Sequence, residues 1–186
     1  MTIEDEIAHL RLPRLLGPGL RLVFIGYNPG VESARQGHYY AHRGNVFWRQ
    51  LYESGLTPRP VTHLDDRRLF ETEAIGFIDL CPRPTVQAAE LSASEMAEGA
   101  RRLHEDLREA QPHVAVFGGR GIFRTFAKAA LGVSARTLAS RQDGLQPDRV
   151  GRTRLYVVPS SSGLASRWHR RRLELLEELA LILVMG

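Results

Sequence analysis

Four short apolar segments stand out along the chain: LRLVFIG (20–26), AIGFIDL (74–80), HVAVFGG (113–119) and RLYVVPS (154–160). Three of them lack the apolar–polar alternation of a half-wet strand. Unbroken runs of Val, Ile, Leu and Phe suit strands covered on both faces, as in a parallel sheet. Between them the apolar positions recur at helical spacing. VFWRQLYESG (46–55) follows Asn45, a residue type favoured at helix starts. Residues 92–111 open on serine and stop before Pro112, GIFRTFAKAALG (121–132) ends on glycine, and 167–185 has a basic start and an apolar end. Strands alternating with helices predict an α/β fold, a three-layer α/β/α sandwich around a short, mainly parallel central sheet. Residues 133–153 are mostly polar, and the pattern places there an irregular excursion with a small extra strand at Arg136–Leu138.

Length and composition then limit the reading. With 186 residues, 43% apolar and 25% charged, the chain suits one globular domain over 1–186. No apolar run reaches membrane-spanning length, and the acidic, amphipathic start resembles neither a signal nor a transit peptide, so the expectation is a cytoplasmic protein with no membrane contact. A single cysteine, Cys81, excludes a disulfide framework, a zinc finger and a four-cysteine cluster within one chain; its plain reading is a small buried apolar residue. Neither a metal nor another cofactor is expected. The net charge of +4 permits a polyanionic partner without requiring one. Lys128 is the sole lysine, and Asn28 and Asn45 are the only asparagines.

Each strand hands off to a loop with chemical potential, and parallel strands would bring all four loops to one rim, where ligands of such sheets bind. In GYNPG (26–30), Gly26 and Gly30 permit close approach and Pro29 stiffens the turn, so Asn28 offers an amide from a rigid support. That amide can hold a water or read the edge of a planar heterocycle; an ordinary Asn-Pro-Gly turn is the plain alternative. In IDLCPRPT (78–85), Asp79 ends a strand. It is either a loop cap or ion-pair partner of Arg83, or a group that orients water or stabilises a developing cation. RQGHYYAHRGNVFW (35–48) interleaves His38, Tyr39, Tyr40, His42 and Arg43. Aromatics beside basic residues suit stacking on bases, while Phe47 and Trp48 read as core. In PSSSGLASRWHRRR (159–172), Ser160, Ser161 and Ser162 can donate to phosphate. Leu164 either faces solvent or staples onto the helix below. Arg167, Arg170, Arg171 and Arg172 crowd a helix start against the dipole, a conflict that a bound phosphate would relieve.

Taken together, LVFIGYNPGVESA (22–34), AHRGNVFW (41–48), GFIDLCPRPTVQAAELS (76–92) and VVPSSSGLASR (157–167) resemble the mismatch-specific uracil-DNA glycosylase and thymine-DNA glycosylase family, within the uracil-DNA glycosylase superfamily. The resemblance covers nearly the whole chain. It implies that Asn28 positions the hydrolytic water and that Tyr40 stacks on the extruded base. Gly26, Tyr27 and Gly30 would shape the pocket wall, with Ser33 near the C5 edge of the base. Ser160 to Leu164 would enter the DNA with Leu164 as the wedge, and the backbone of Gly163 and Leu164 would face the orphaned partner base. Arg167 and Arg170 would grip phosphates. Two positions depart from the family: Ala165 replaces a polar residue, and Asp79 is a carboxylate not expected in the bacterial branch, which would supply a second catalytic group.

The activity so implied is that of a monofunctional glycosylase. It would flip uracil out of double-stranded DNA, foremost at U:G mismatches, and extend to thymine or alkylated pyrimidines. The protein would be a monomer, bacterial and nucleoid-associated. A glycosylase that nicks the strand attacks with an amine, and Lys128 lies inside a predicted helix away from the rim. Two other readings compete: a lesion-binding module without catalysis, and a small-molecule hydrolase. The second lacks both a Gly-x-Ser-x-Gly elbow and a Gly-rich nucleotide fingerprint.

Overall fold

A computed structural model describes residues 2–185. In chain order the helices are α1 (Ile3–Ile7), α2 (Val31–Gln36), α3 (Phe47–Glu53), α4 (Asp66–Glu73), α5 (Ala93–Ala110), α6 (Arg120–Leu131), α7 (Ala135–Ala139) and α8 (His169–Met185). The strands are β1 (Leu22–Gly26), β2 (Ile75–Asp79), β3 (Val114–Phe117), β4 (Gly144–Val150) and β5 (Thr153–Val157). They form one sheet in the order β2-β1-β3-β5-β4. β1 pairs in parallel with β2 and β3, and β3 with β5; only β4 runs antiparallel, against β5.

The unbroken apolar runs have the cause their pattern predicts. Every residue of β1 is buried. Val23 and Ile25 join Ala115, Phe117, Leu155 and Val157 on one face, beneath Leu103, Leu107 and Phe126 of α5 and α6. Leu22 and Phe24 join Val114, Val116 and Tyr156 on the other, beneath Leu51 of α3, Leu69 of α4 and Leu175 of α8. Successive side chains point to opposite faces, so a strand roofed on both sides needs apolar residues at every position. Truncating Phe126 to Ala would cost about 3–5 kcal/mol, the usual range for a buried Phe.

Local chemistry sets the element ends. Ser92 caps α5 by accepting from the Glu95 N–H, and Glu95 reaches back to Ser92 N, a reciprocal box. α6 ends on Gly132 in the left-handed region. α3 starts at Phe47 rather than 46, and the Asn45 side chain accepts from the Phe47 N–H at 3.0 Å. A 3₁₀ turn, Gly163–Trp168, precedes α8, so the predicted helix over 167–185 is regular only from His169.

The small strand predicted at Arg136–Leu138 is instead part of α7. Ser134 caps that helix by accepting from Thr137 N, and only Leu138 is buried. The extra strand lies later, at β4, whose burial alternates: Gly144, Gln146 and Val150 are inside while Leu145 and Arg149 are exposed. As a sheet edge it tolerates Pro147, and its register shifts between Leu145 and Arg149. Gly151, at φ 56°, makes the turn into β5.

This topology sets where a crevice opens. The chain leaves β1 for β2 on one side and reaches β3 on the other, so a crevice opens where the loops after β1 and β3 diverge, outside the carboxyl ends.

Candidate active site

A cavity of about 900 Å³ occupies that crevice. All four predicted loops contribute to it: Asn28 after β1, residues 85–89 after β2, Gly118 and Gly119 after β3, and Ser160–Ser162 with Leu164 after β5. Asn28 and the serine-rich loop, more than 130 residues apart in sequence, line one space.

Asn28 is held by the loop after β2. Its Nδ2 donates to the Arg83 carbonyl and to Thr85 Oγ1, each at 2.8 Å. Thr85 N donates to the Pro29 carbonyl at 3.1 Å, and Gly30 and Thr85 form an isolated parallel bridge. A carbonyl only accepts, so the contact with Arg83 settles which end of the amide is nitrogen. Oδ1 is left without a protein partner among the described residues, on a side chain that lines the cavity. A fixed acceptor of this kind orients a water proton but is too weak a base to remove it.

Asp79 closes β2 beside Gly26, its register partner on β1. A Cβ on residue 26 would collide with the Asp79 carboxylate and come within 3.5 Å of the Tyr40 hydroxyl, so glycine is required there. Burial raises the Asp79 pKa to about 7. The alternative ion pair with Arg83 is not formed: Arg83 turns to α5 and donates to Glu95 at 2.7 Å and to the Glu90 carbonyl. With no such partner and a pKa near neutrality, Asp79 is a carboxylate that can exchange a proton in the working pH range.

Tyr40 lies in the left-handed region at φ 52°, uncommon for a side chain of its size. Its ring stacks on Phe47 with centroids 3.9 Å apart and planes 12° apart. Burial, followed by the Asp79 charge, pushes the Tyr40 phenol up, so it stays neutral. Phe47, predicted as core, is indeed buried, yet it also lines the cavity. Tyr27 and Gly30 are in the wall, and Tyr27 leans on Gly121 of α6. Ser33 is buried in the wall, where its Oγ accepts from Ala41 N at 3.1 Å. His38 is drawn away into a contact with Asp66, while His42 stays at the cavity.

The loop after β5 is built for presentation. Ser161 is buried and its carbonyl accepts from Val46 N, tying this loop to the one before α3. Ser160 Oγ accepts from Ser162 N, and Ser162 Oγ accepts from Leu164 N. Gly163 sits against the Gly44 carbonyl. Above this support Leu164 is 100% exposed, so it does not staple to the helix.

The arginines of α8 divide. Arg167 and Arg170 are exposed; Arg167 lies over the Trp168 ring, and Arg170 is 3.3 Å from Glu174. Arg171 pairs with Glu174 and Glu178, so part of the expected dipole conflict is answered within the helix. Arg172, counted with the surface cluster by sequence, is instead 1% exposed and lines the cavity. Burial lowers its pKa only to about 10, so it is charged at neutral pH. The sequence reading also missed Thr85 and the Arg83 carbonyl, whose roles exist only through the folded contact with Asn28. Cys81 is buried as expected. Lys128 lies in the last turn of α6, whose first turn is the end at the cavity.

Comparison with known proteins adds the family. The Uracil DNA glycosylase superfamily matches the chain over residues 13–182. A solution NMR structure from Methanosarcina acetivorans, assigned as a candidate uracil DNA glycosylase, has the same fold. It superposes with a TM-score of 0.60 at 21% identity, covering 94% of this chain and 97% of that one.

Proposed function

Because the chain belongs to the Uracil DNA glycosylase superfamily, which supports a DNA glycosylase role, we propose that it is a monofunctional enzyme releasing uracil from mispaired duplex DNA, foremost opposite guanine. The observation carrying this reading is the clamped Asn28 amide, with its oxygen free on a cavity that also holds an ionisable carboxylate and a stacking ring.

The steps follow from that placement. The target base must leave the helix before any group can reach it, which costs a few kcal/mol and less at a mismatch. Leu164, unsupported on all sides, fills the vacated space. Arg167 and Arg170 meet phosphates, making binding salt-dependent. The extruded base stacks on Tyr40, with Ser33 toward its C5 edge. Asn28 Oδ1 holds a water against C1′ of the sugar. As the bond from C1′ to the base nitrogen breaks, its electron pair leaves with the base and the sugar becomes cationic. The water oxygen bonds to C1′ while its proton passes to the Asp79 carboxylate. The base anion then takes a proton from solvent, and an abasic site remains. Thymine and alkylated pyrimidines are further substrates on this reading, since Asp79 supplements the weak assistance of an amide.

A single-turnover assay on duplexes carrying U, T or alkylated bases opposite G or A tests this. Release of uracil from U:G, with no strand break before alkali, is expected. Binding without release of any base would favour a lesion-binding module and overturn the proposal.

A further inference from the structure

Arg172 is a buried charge without a counter-charge. Its Nη1 donates to Gln50 Oε1 at 2.7 Å, its Nε is buried with no partner, and no carboxylate lies within ion-pair distance among the described residues. Gln50 is itself buried, and its Nε2 donates to the His169 carbonyl at 2.7 Å, which fixes its oxygen toward Arg172. The guanidinium carbon is 5.4 Å from the centroid of the Phe47 ring, the same ring that stacks on Tyr40. Burying an ion is costly, and a well-packed neutral side chain in its place is often neutral or stabilising. Packing alone therefore does not account for a charge here.

Asp79 and Arg172 both line the cavity, one a carboxylate and the other a guanidinium, and they form no ion pair with one another. Breaking the bond to the base creates charge of both signs, positive on the sugar and negative on the base. Fixed charges placed where charge develops are worth most in a site shielded from water.

We propose that Arg172 stabilises the departing base anion, acting through the Phe47–Tyr40 ring pair as a positioning charge rather than by direct contact. This rests on the glycosylase reading above. No bond to Arg172 forms or breaks; the electron pair released from C1′ stays on the base until solvent supplies a proton.

The test compares uracil with 5-fluorouracil as leaving group, each opposite guanine in the same duplex, under single turnover. The fluorinated base is the more acidic and needs less help to leave. Arg172→Met is expected to slow uracil release on the order of tenfold, and 5-fluorouracil release only about twofold. Arg172→Lys is expected to restore most of the uracil rate. Gln50→Glu, which sets a carboxylate of similar shape against the guanidinium and gives up the donation to the His169 carbonyl, should produce the same selective loss even if Arg172→Met fails to fold. Equal slowing of both bases in these variants would reduce Arg172 to a packing role and overturn the inference, as would unchanged rates for both. A wild-type protein that releases neither base would overturn the glycosylase reading itself, and this inference with it.

Discussion

The turn at Asn28 and the loop at Leu164 border one cavity but are built in opposite ways. Asn28 is locked from behind: both amide protons are spent on the loop after β2, and Pro29 and Thr85 bind the two backbones together. Leu164 is presented from below: Ser161 is buried, Ser160 and Ser162 tie the loop to itself, and the leucine tip touches nothing that shields it from water. The first arrangement suits a group that must hold one water still. The second suits a group whose partner arrives only with the DNA. On the proposed function, order is spent where the chemistry would happen, and exposed apolar surface is kept where a base would be replaced.

The sharpest way to break the contrast is at the rigid end. Asn28→Ala should slow uracil release by a hundredfold or more, about the scale of losing an organised proton-transfer geometry, while duplex affinity in a gel or anisotropy titration stays within about twofold of wild type. A comparable loss of binding would assign Asn28 to recognition instead.

Next in size is Asp79. Its pKa near 7 means that the base form grows in as pH rises, so the single-turnover rate should climb through pH 7 and level above it. Asp79→Asn should lose about tenfold at pH 8 and flatten that profile. Stability moves the other way. The folded pKa is above the unfolded value near 3.9, so ionisation disfavours the fold increasingly from about pH 4 to 7 and fully above it. Asp79→Asn should thus raise the melting temperature by a few degrees at pH 8 and by less at pH 5, measured by thermal circular dichroism. A variant that is less stable at pH 8 would make Asp79 a structural cap.

The smallest effect belongs to the exposed end. Leu164→Ala should cost roughly fivefold in release from U:G, and more from U:A, where a paired base resists extrusion. Melting should not change, because the side chain is already fully exposed. An equal loss on both duplexes would remove the wedge role and leave the loop as a simple contact surface.

Much of this was legible before folding. The four parallel strands could be read from short apolar segments, three of them unbroken, since burial on both faces leaves no room for polar alternation. The cavity-lining loops followed from parallel order, which sends every strand's exit to one rim. Asn28 stood out by its stiff setting. β4 escaped because an edge strand with one wet side carries Pro147, Asp148 and Arg149, and its place is set by the partner β5 rather than by its own pattern.

What the chain determined alone was what local spacing encodes: the periodicity of faces, the stops at Gly132 and Pro112, and which loops follow which strands. Only the tertiary structure decided the direction of the Asn28 amide, the separation of Asp79 from Arg83, and the inward turn of Arg172 away from its neighbours Arg170 and Arg171. Those depend on distances between residues from a dozen to more than a hundred positions apart, and on the local dielectric that burial creates. Neither quantity is carried by any one stretch of sequence, because each comes into being when the helices close over the sheet.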